Sequence, residues 1–193
     1  GYTQGGGSEV AFTGAYVITG SLTADTPLDI DNNSGSLFTC NITLDNAKII
    51  GNRWCTSVKI NGNSDIVLNI TNIGDSVIKG YNHAALVSGN TANVTVNITN
   101  TAGNRLEMGS SWYGTTYRVF SFEQGTMAAY VNGEVPDNSN NMIDHTCAYR
   151  YDWISNVSEM SIDDFIENLN NVKLVGVCMC GATTEADTLD RVY

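Results

Sequence analysis

The stretch Ile66-Val67-Leu68-Asn69-Ile70-Thr71 decides the fold, because Val94-Thr95-Val96-Asn97-Ile98-Thr99 repeats its pattern further along the chain. The tripeptide Asn-Ile-Thr inside both stretches also begins at Asn41, so one constant interval separates its three copies. A fixed period of this length indicates a repeat architecture, in which each repeat is one structural unit stacked on the next. We therefore interpret the chain as a series of coils with about 28 residues each.

Apolar residues occupy the same positions in successive repeats. Side chains two residues apart along a strand lie on the same face, so columns spaced by two positions share one surface. The columns are Val10, Phe38, Ile66, Val94 and Phe122; Phe12, Cys40, Leu68 and Val96; and Ile42, Ile70 and Ile98. One coil buries little apolar surface alone, whereas stacked coils share a continuous core. The sequence therefore predicts an all-β fold, a parallel β-solenoid.

The repeat divides the chain into three predicted regions. Residues 1–9 are a glycine-rich lead-in, residues 10–125 are the β-solenoid, and residues 126–193 are a C-terminal cap. The solenoid is expected to end near residue 125, because Arg150 falls where the first apolar column would continue. An open solenoid end is an exposed sheet edge, so a cap is physically expected there.

Two elements are predicted inside the capping region. Ser161 to Leu169 is typical of one short helix, with Ser161 as the N-cap and acidic residues in the first turn, where they suit the helix dipole. Val172 to Met179 is an apolar run with the length of a buried strand. The predicted fold class is therefore all-β with one short helix in the cap.

Composition restricts the classes of partner. The 193 residues include 20 acidic and 9 basic side chains, and the net charge of −11 argues against binding to nucleic acid or anionic membranes. No apolar run approaches the length that spans a membrane, so membrane insertion is not expected. Lysine is scarce, whereas Asn, Thr, Ser and Gly are abundant, as is common in secreted and fibre proteins. We therefore expect an extracellular or cell-surface location.

Three cysteines in the C-terminal region are candidates for a disulfide. Cys178 and Cys180 point to the same side of a strand, where pairing with each other would be strained, so each is expected to have a separate partner. Cys147 is a suitable partner for one of them. A zinc site is the alternative, with His83 or His145 as the only histidines that could complete it.

A regular polar face is predicted on the outside of the solenoid. Because Cys40, Leu68 and Val96 belong to an inward column, their neighbours point outward. The candidate face consists of Asn41, Thr43, Asn69, Thr71, Asn97 and Thr99. Stacked Asn side chains form hydrogen-bonded ladders, so the first interpretation is structural. Binding of a glycan or a regular surface, and packing against another protein, are the alternatives.

The chain contains six potential N-glycosylation sites, and three of them lie on this face. The asparagines that begin an Asn-X-Ser/Thr sequence are Asn32, Asn41, Asn69, Asn93, Asn97 and Asn156. Glycans on successive rungs would be only about 4.8 Å apart, which is too close for all of them. We therefore expect that one or two of these sites carry a glycan.

Aromatic residues near a turn of successive coils are candidates for sugar binding. Trp54, Trp112 and Tyr113 are the candidate residues, because aromatic rings cover the apolar faces of sugars. The alternative interpretation is that these rings are partly buried against the cap.

One acidic segment resembles a calcium loop. Asp29, Asp31 and Asn33 provide oxygen ligands at alternating positions, as calcium loops do. The glycine at residue 35 comes one position late for the EF-hand pattern, and Cys40 stands where the bidentate glutamate is required. An Asx-rich turn is the alternative. We expect no cofactor, and calcium is left open at this segment.

Paired carboxylates for glycoside cleavage would have to come from loop positions. The candidates are Asp45, Asp65, Asp75 and Glu107. These positions are typical of solvated charges, and no nucleophile motif accompanies the histidines. We therefore do not expect an enzyme.

The pattern resembles the right-handed parallel β-helix surface proteins of microbes, of the adhesin and carbohydrate-binding type. The resemblance is carried by the two stretches quoted at the outset and by the glycine-bounded segments that follow them, Val77-Ile78-Lys79-Gly80 and Arg105-Leu106-Glu107-Met108-Gly109. It covers roughly residues 10–125 and implies an architecture shared by polysaccharide lyases, phage tailspikes, adhesins and fibre subunits. Lyase-like members use a calcium-binding acidic cluster with a basic residue, and no matching cluster is evident here.

These observations together predict a non-enzymatic extracellular protein with a structural or adhesive role. Its expected partners are further copies of itself, in a fibre or surface layer, or neighbouring surface proteins. A glycan-binding module that recognises a polysaccharide is the second hypothesis. A polysaccharide lyase-like enzyme is the third.

Overall fold

A computed structural model describes residues 15–111, 119–138, 142–145, 147–148, 150–153, 161, 174–178 and 182–186. These residues form strands, turns and loops, and none of them is helical. The strands are β1 (Ala15–Ala24), β2 (Leu28–Asn32), β3 (Phe38–Gly51), β4 (Val58–Gly62), β5 (Ile66–Asn72), β6 (Ser76–Gly80), β7 (Leu86–Ser88), β8 (Asn93–Asn100), β9 (Arg105–Ser110), β10 (Phe120–Phe122), β11 (Thr126–Val131), β12 (Met142–His145), β13 (Arg150–Trp153), β14 (Leu174–Val177) and β15 (Thr183–Ala186).

The strands stack into a parallel β-solenoid of about three turns, which confirms the predicted fold class. The first face contains the first half of β3, then β5, β8 and β11. The second face contains the last part of β3, then β6 and β9, and the third face contains β2, β4, β7 and β10. On the first face Cys40, Leu68 and Val96 pair in register, as the predicted period requires.

The inward columns form one apolar core. Cys40, Leu68 and Val96 are completely buried, and Ile42, Ile70 and Ile98 are nearly so. The second and third faces contribute further buried residues, which include Ile49, Ile78, Met108, Ile60 and Leu86. Parallel strands buried along a shared core stabilise one another, as the predicted columns require.

One predicted core position is wrong. Phe122 was expected to follow Val94 in the first column, but its side chain is 57% exposed and it pairs with Ser88 on the third face. Met127 takes the place next to Val94 instead. The last coil is therefore longer than the coils before it, because the chain adds residues between β9 and β10.

The two ends of the solenoid differ. At the N-terminal end β1 pairs with β3 along its whole length, with a bulge between Thr19 and Gly20 at the corner between the first and second faces. At the other end β10 and β11 continue the parallel stacking, so it extends past residue 125 to Val131. Strand β12 then pairs antiparallel with β9, which reverses the chain direction on the second face.

The C-terminal region contains a small antiparallel sheet of β13, β14 and β15. Strand β14 lies within the buried strand predicted for Val172 to Met179, so the strand is confirmed in its described part, but Val177 is 46% exposed. The helix predicted for Ser161 to Leu169 lies outside the described residues except for Ser161.

Candidate functional site

The outward side of the first face carries an asparagine ladder. The Asn69 side chain donates from Nδ2 to Asn41 Oδ1 at 2.9 Å, and the Asn97 side chain donates from Nδ2 to Asn69 Oδ1 at 2.9 Å. All three asparagines are in register, so both bonds run in the same direction. The structural interpretation of these asparagines as a hydrogen-bonded ladder is therefore confirmed. A regular ladder holds the amides in one repeating arrangement and stiffens the face.

A threonine column lies beside the ladder. Thr43, Thr71 and Thr99 pair in register, and each is partly or fully exposed. At the N-terminal end of this column Val17 pairs with Thr43 and is largely exposed. At the other end of the asparagine column Tyr130 pairs with Asn97.

We call this outward surface the asparagine face. Its members are three neighbouring rows of outward residues on β1, β3, β5, β8 and β11, namely Ala15, Val17, Thr39, Asn41, Thr43, Val67, Asn69, Thr71, Thr95, Asn97, Thr99, Ala128 and Tyr130. No charged residue is among these positions, and Asp45 and Asp65 lie beyond the face at its two opposite edges.

The other two faces carry charge among their outward residues. The second face presents Lys79, Glu107 and Arg105. The third face presents Asp29 and Lys59 on its paired strands. The asparagine face therefore differs from both in its electrostatic character.

A second, buried asparagine ladder was missed by the sequence analysis. At the corner between the first and second faces, Asn72 donates to Asn100 Oδ1 at 2.7 Å, and Asn100 donates to Asp144 Oδ2 at 2.7 Å. Asn132 donates to the same Asp144 oxygen at 3.1 Å. The sequence does contain a signal for this ladder, because Asn72 and Asn100 are separated by the same 28 residues as the asparagines of the exposed ladder. Asp144 could not be found in this way, since it lies outside the repeat.

The glycosylation candidates differ in access to the amide nitrogen, to which a glycan would be attached. Asn32 is only 5% exposed and its Nδ2 donates to two backbone carbonyls, so this atom is not accessible in the fold. Three further candidates point outward, but their amide nitrogens are already hydrogen-bonded. Asn69 donates to Asn41, Asn97 donates to Asn69, and Asn93 donates to Asp65. Asn41 is exposed and acts in the ladder as an acceptor. Asn156 lies outside the described residues.

The aromatic candidates are not on the asparagine face. Trp54 is 63% exposed in the turn between the second and third faces, and its ring meets Tyr81 edge-on, with centroids 6.5 Å apart. Arg53 and Trp54 both adopt positive φ angles, of 40° and 65°, which are uncommon for non-glycine residues. Trp112 and Tyr113 lie outside the described residues.

The calcium candidates lie on the edge strand β2 and in the turn after it. Asp29 Oδ1 accepts a hydrogen bond from Asn61 Nδ2 at 2.7 Å, and Asp31 Oδ1 accepts one from Asn33 Nδ2 at 2.6 Å. These contacts fit the Asx-rich turn that was the alternative interpretation. Calcium binding at Asp29, Asp31 and Asn33 stays a prediction.

Of the four carboxylates predicted at solvated loop positions, Asp65 and Asp75 lie between strands, but Asp45 lies in β3 and the mostly buried Glu107 lies in β9. Asp65 Oδ1 accepts from the Asn93 backbone at 3.1 Å, and Asp75 Oδ1 accepts from the Arg105 backbone at 2.8 Å. Glu107 lies between Lys79 and Arg105, and the hydrogen bond from Lys79 is the main cause that lowers the pKa of its carboxyl group. Asp45 accepts from the neighbouring Asn46 side chain. Asp65, Asp75 and Glu107 therefore join successive coils, whereas the contact of Asp45 is local.

A histidine–cysteine cluster lies where the C-terminal sheet meets the solenoid. The ligand atoms of His145, Cys147 and Cys178 all lie within 4.8 Å of one another, and His145 Nε2 is 3.2 Å from Cys178 Sγ. No two cysteines of the described residues are at disulfide distance, so a disulfide between Cys147 and Cys178, one of the two pairings that the sequence allowed for Cys147, is not present in the structure. Cys180 lies outside the described residues. His145, and not His83, joins the two cysteines.

Comparison with protein-family models, with curated proteins and with solved structures finds no match to this chain. Among the described residues there is also no helix that is long and apolar enough to cross a membrane.

Proposed function

We propose that this protein is a non-enzymatic structural or adhesive module of an extracellular surface, and that it associates with further copies of itself through the asparagine face. The observation that supports this most strongly is that the asparagine face carries no charged residue, in a chain with a net charge of −11. Two acidic proteins repel each other at most orientations. A flat neutral face is where two copies can approach with the least repulsion.

The chemistry of the face suits a protein interface. Interface centres are depleted of charged residues, because buried charges lose their hydration. Asn and Thr side chains can exchange hydrogen bonds with a second copy, and Val17 and Tyr130 at the two rims add apolar contact. The ladder also orders the amides before association, which lowers the entropy cost of binding.

The size of the face predicts a weak contact. Five strands spaced by about 4.8 Å, with roughly six residues each, cover an area of roughly 20 Å by 20 Å. Two such faces would bury roughly 800 Å² in total, which is below the size of stable interfaces. An adhesive role then depends on many copies acting together, because multivalency multiplies weak affinities.

The C-terminal end of the solenoid is less suited to association. The Asn138 side chain accepts from the Phe120 backbone N–H at 2.7 Å and donates to the Phe120 carbonyl at 2.8 Å, so it covers the outer edge of β10. Val131 and Glu134 exchange backbone hydrogen bonds at 2.8 and 3.0 Å at the end of β11. Such covered edges resist strand addition, and this favours the face over the end as the contact surface.

The proposal is tested by sedimentation and electron microscopy across a concentration series. We expect self-association that strengthens as salt screens the net charge. Thr71→Glu, which adds a negative charge at the centre of the face, should abolish it. Ser121→Glu makes the same charge change on the third face and should leave it intact. A wild-type protein that stays monomeric at the highest concentration would overturn the proposal.

One observation favours a second candidate function, a glycan-binding module. Trp54 is held exposed by a turn with two consecutive positive φ angles, and such strained exposure of an aromatic ring is more common at binding sites than elsewhere. Binding of a polysaccharide panel should then quench tryptophan fluorescence in the wild type. The loss of binding should follow Trp54→Ala but not Phe122→Ala, which removes an exposed ring on the third face. If no polysaccharide of the panel changes the tryptophan fluorescence, this function is excluded.

A further inference from the structure

The three ligand atoms of the histidine–cysteine cluster have the geometry of a metal site. In a tetrahedral zinc centre the bond lengths imply separations of about 3.5 Å between nitrogen and sulfur and about 3.8 Å between two sulfurs. The His145 Nε2 to Cys178 Sγ separation is 3.2 Å, and all the ligand atoms lie within 4.8 Å of one another. Only small side-chain movements would be needed to place one ion within bonding distance of all three.

The histidine is held in the tautomer that a metal requires. His145 Nδ1 lies 2.8 Å from the backbone carbonyl oxygen of Asn104, which can only accept a hydrogen bond. In the neutral ring Nδ1 therefore carries the proton, and Nε2 presents its lone pair toward Cys178 Sγ. A hydrogen bond from the other ring nitrogen to a carbonyl is the usual support of a metal-binding histidine.

The ligands also come from two separate parts of the fold. His145 is the last residue of β12, which is paired with the solenoid, and Cys147 follows closely. Cys178 follows β14 of the small antiparallel sheet and is only 1% exposed. Strands of four residues each have little apolar surface of their own to bury. A shared ion would fasten this sheet to the solenoid.

We propose that His145, Cys147 and Cys178 bind a zinc ion that joins the C-terminal sheet to the solenoid. Two thiolates and an imidazole select zinc over calcium or magnesium, which prefer oxygen ligands. The same sulfurs cannot form a disulfide with each other while they bind the metal, so bound zinc should protect them from oxidation. Cys180 lies outside the described residues and is no part of the proposed site.

The full-length chain, purified under reducing conditions, provides the test. We expect one zinc ion per chain, and zinc-edge X-ray absorption should show both sulfur and imidazole nitrogen around it. Replacement by Co²⁺ should produce a thiolate-to-cobalt charge-transfer band. Cys147→Ser and His145→Gln should each weaken zinc binding at least about tenfold. Cys55→Ser is the matched control, since Cys55 lies in a turn of the solenoid outside the cluster, and it should bind zinc as the wild type does.

The wild-type measurements decide the proposal even if a variant does not fold. A wild-type chain without zinc and without a cobalt–thiolate band would overturn it. A Cys147–Cys178 disulfide found by mass spectrometry in metal-saturated protein would overturn it as well. An equal loss of zinc in Cys55→Ser and Cys147→Ser would show that the metal is bound elsewhere.

Discussion

The Asn100 side chain donates a hydrogen bond to Asp144 Oδ2 at 2.7 Å, and this contact ties the third coil of the solenoid to the strand where the chain reverses. The two N–H groups of Asn100 Nδ2 are shared between this oxygen and the backbone carbonyls of Asn104 and Asp144, at 3.1 and 3.0 Å, and Asn100 Oδ1 accepts from Asn72. The residue is almost fully buried. One amide thus contacts Asn72 on the first face, Asn104 in the turn before β9, and Asp144 on β12.

Asn100→Ala should be strongly destabilising. It removes the acceptor of the buried Asn72 amide and one of the two side-chain donors to the partly exposed Asp144 carboxylate, which keeps Asn132. A buried group left without a partner costs about 1–3 kcal/mol. We expect a loss of about 1–3 kcal/mol in the free energy of unfolding, measured by urea denaturation. Thr99→Ala, at the neighbouring exposed position, should change it by less than about 0.5 kcal/mol. Equal losses in the two variants would contradict the role of the buried ladder.

The exposed ladder predicts a graded effect along the asparagine column. Asn69 takes part in two ladder bonds, whereas Asn41 takes part in one. At about 0.5–1.5 kcal/mol for each net hydrogen bond, Asn69→Ala should lower the free energy of unfolding about twice as much as Asn41→Ala. Thr71→Ala, in the neighbouring column, is the control for the loss of a polar side chain on this face. A loss for Asn69→Ala no larger than for Thr71→Ala would show that the ladder adds no stability.

Gly62 should not tolerate a side chain. Its φ of 112° is unfavourable for other residues, and a Cβ atom there would lie 2.2 Å from the Asn32 carbonyl oxygen. Gly62→Ala should therefore prevent folding or cost several kcal/mol, as seen by thermal unfolding. Gly35→Ala separates the effect of the positive φ from that of the steric clash, because Gly35 has a φ of 76° but no atom within 4 Å of the added Cβ. That variant should lose only about 1 kcal/mol, and a similar loss in both variants would refute the steric argument.

Glu107 should make stability depend on pH in the acid range. The hydrogen bond and charge of Lys79, with the charge of Arg105, hold the pKa of the Glu107 carboxyl below its ordinary value of 4.5. A lowered folded-state pKa means that the stabilisation is complete above the unfolded pKa and disappears as the pH falls through the folded pKa. Because the pair is partly exposed, the contribution should not exceed about 1 kcal/mol.

Glu107→Gln is the variant that tests this dependence. It should be less stable than the wild type at about pH 7, and the difference should shrink as the pH falls through the folded-state pKa, where the wild-type carboxyl becomes protonated. The measurement is the urea midpoint across this range. Glu123→Gln, at an exposed position next to β10, is the control for the removal of one negative charge. A difference between Glu107→Gln and the wild type that stays constant across the whole acid range would contradict the assignment.

The repeat itself determined most of the solenoid. In a parallel stack each residue contacts its equivalent in the next coil, so the constant period and the two-residue alternation specify both the strands and the inward columns. The asparagine ladder between Asn41, Asn69 and Asn97 follows from the same rule, because equivalent positions become neighbours in space. This reasoning fails where the period changes, and Phe122 was misplaced because the last coil is longer than the others.

Only the tertiary structure decided the contacts between parts of the chain that share no period. The contact of Asp144 with Asn100 and the meeting of His145 with Cys178 join segments 44 and 33 residues apart. The local sequence pattern cannot predict that these residues meet in space, because their contact depends on how the chain reverses after β11 and how the small sheet approaches β12. The absence of charge from the asparagine face depends on both the sequence and the tertiary structure. The residues are set by the sequence, but the set of strands that share the face is known only once the coils are stacked.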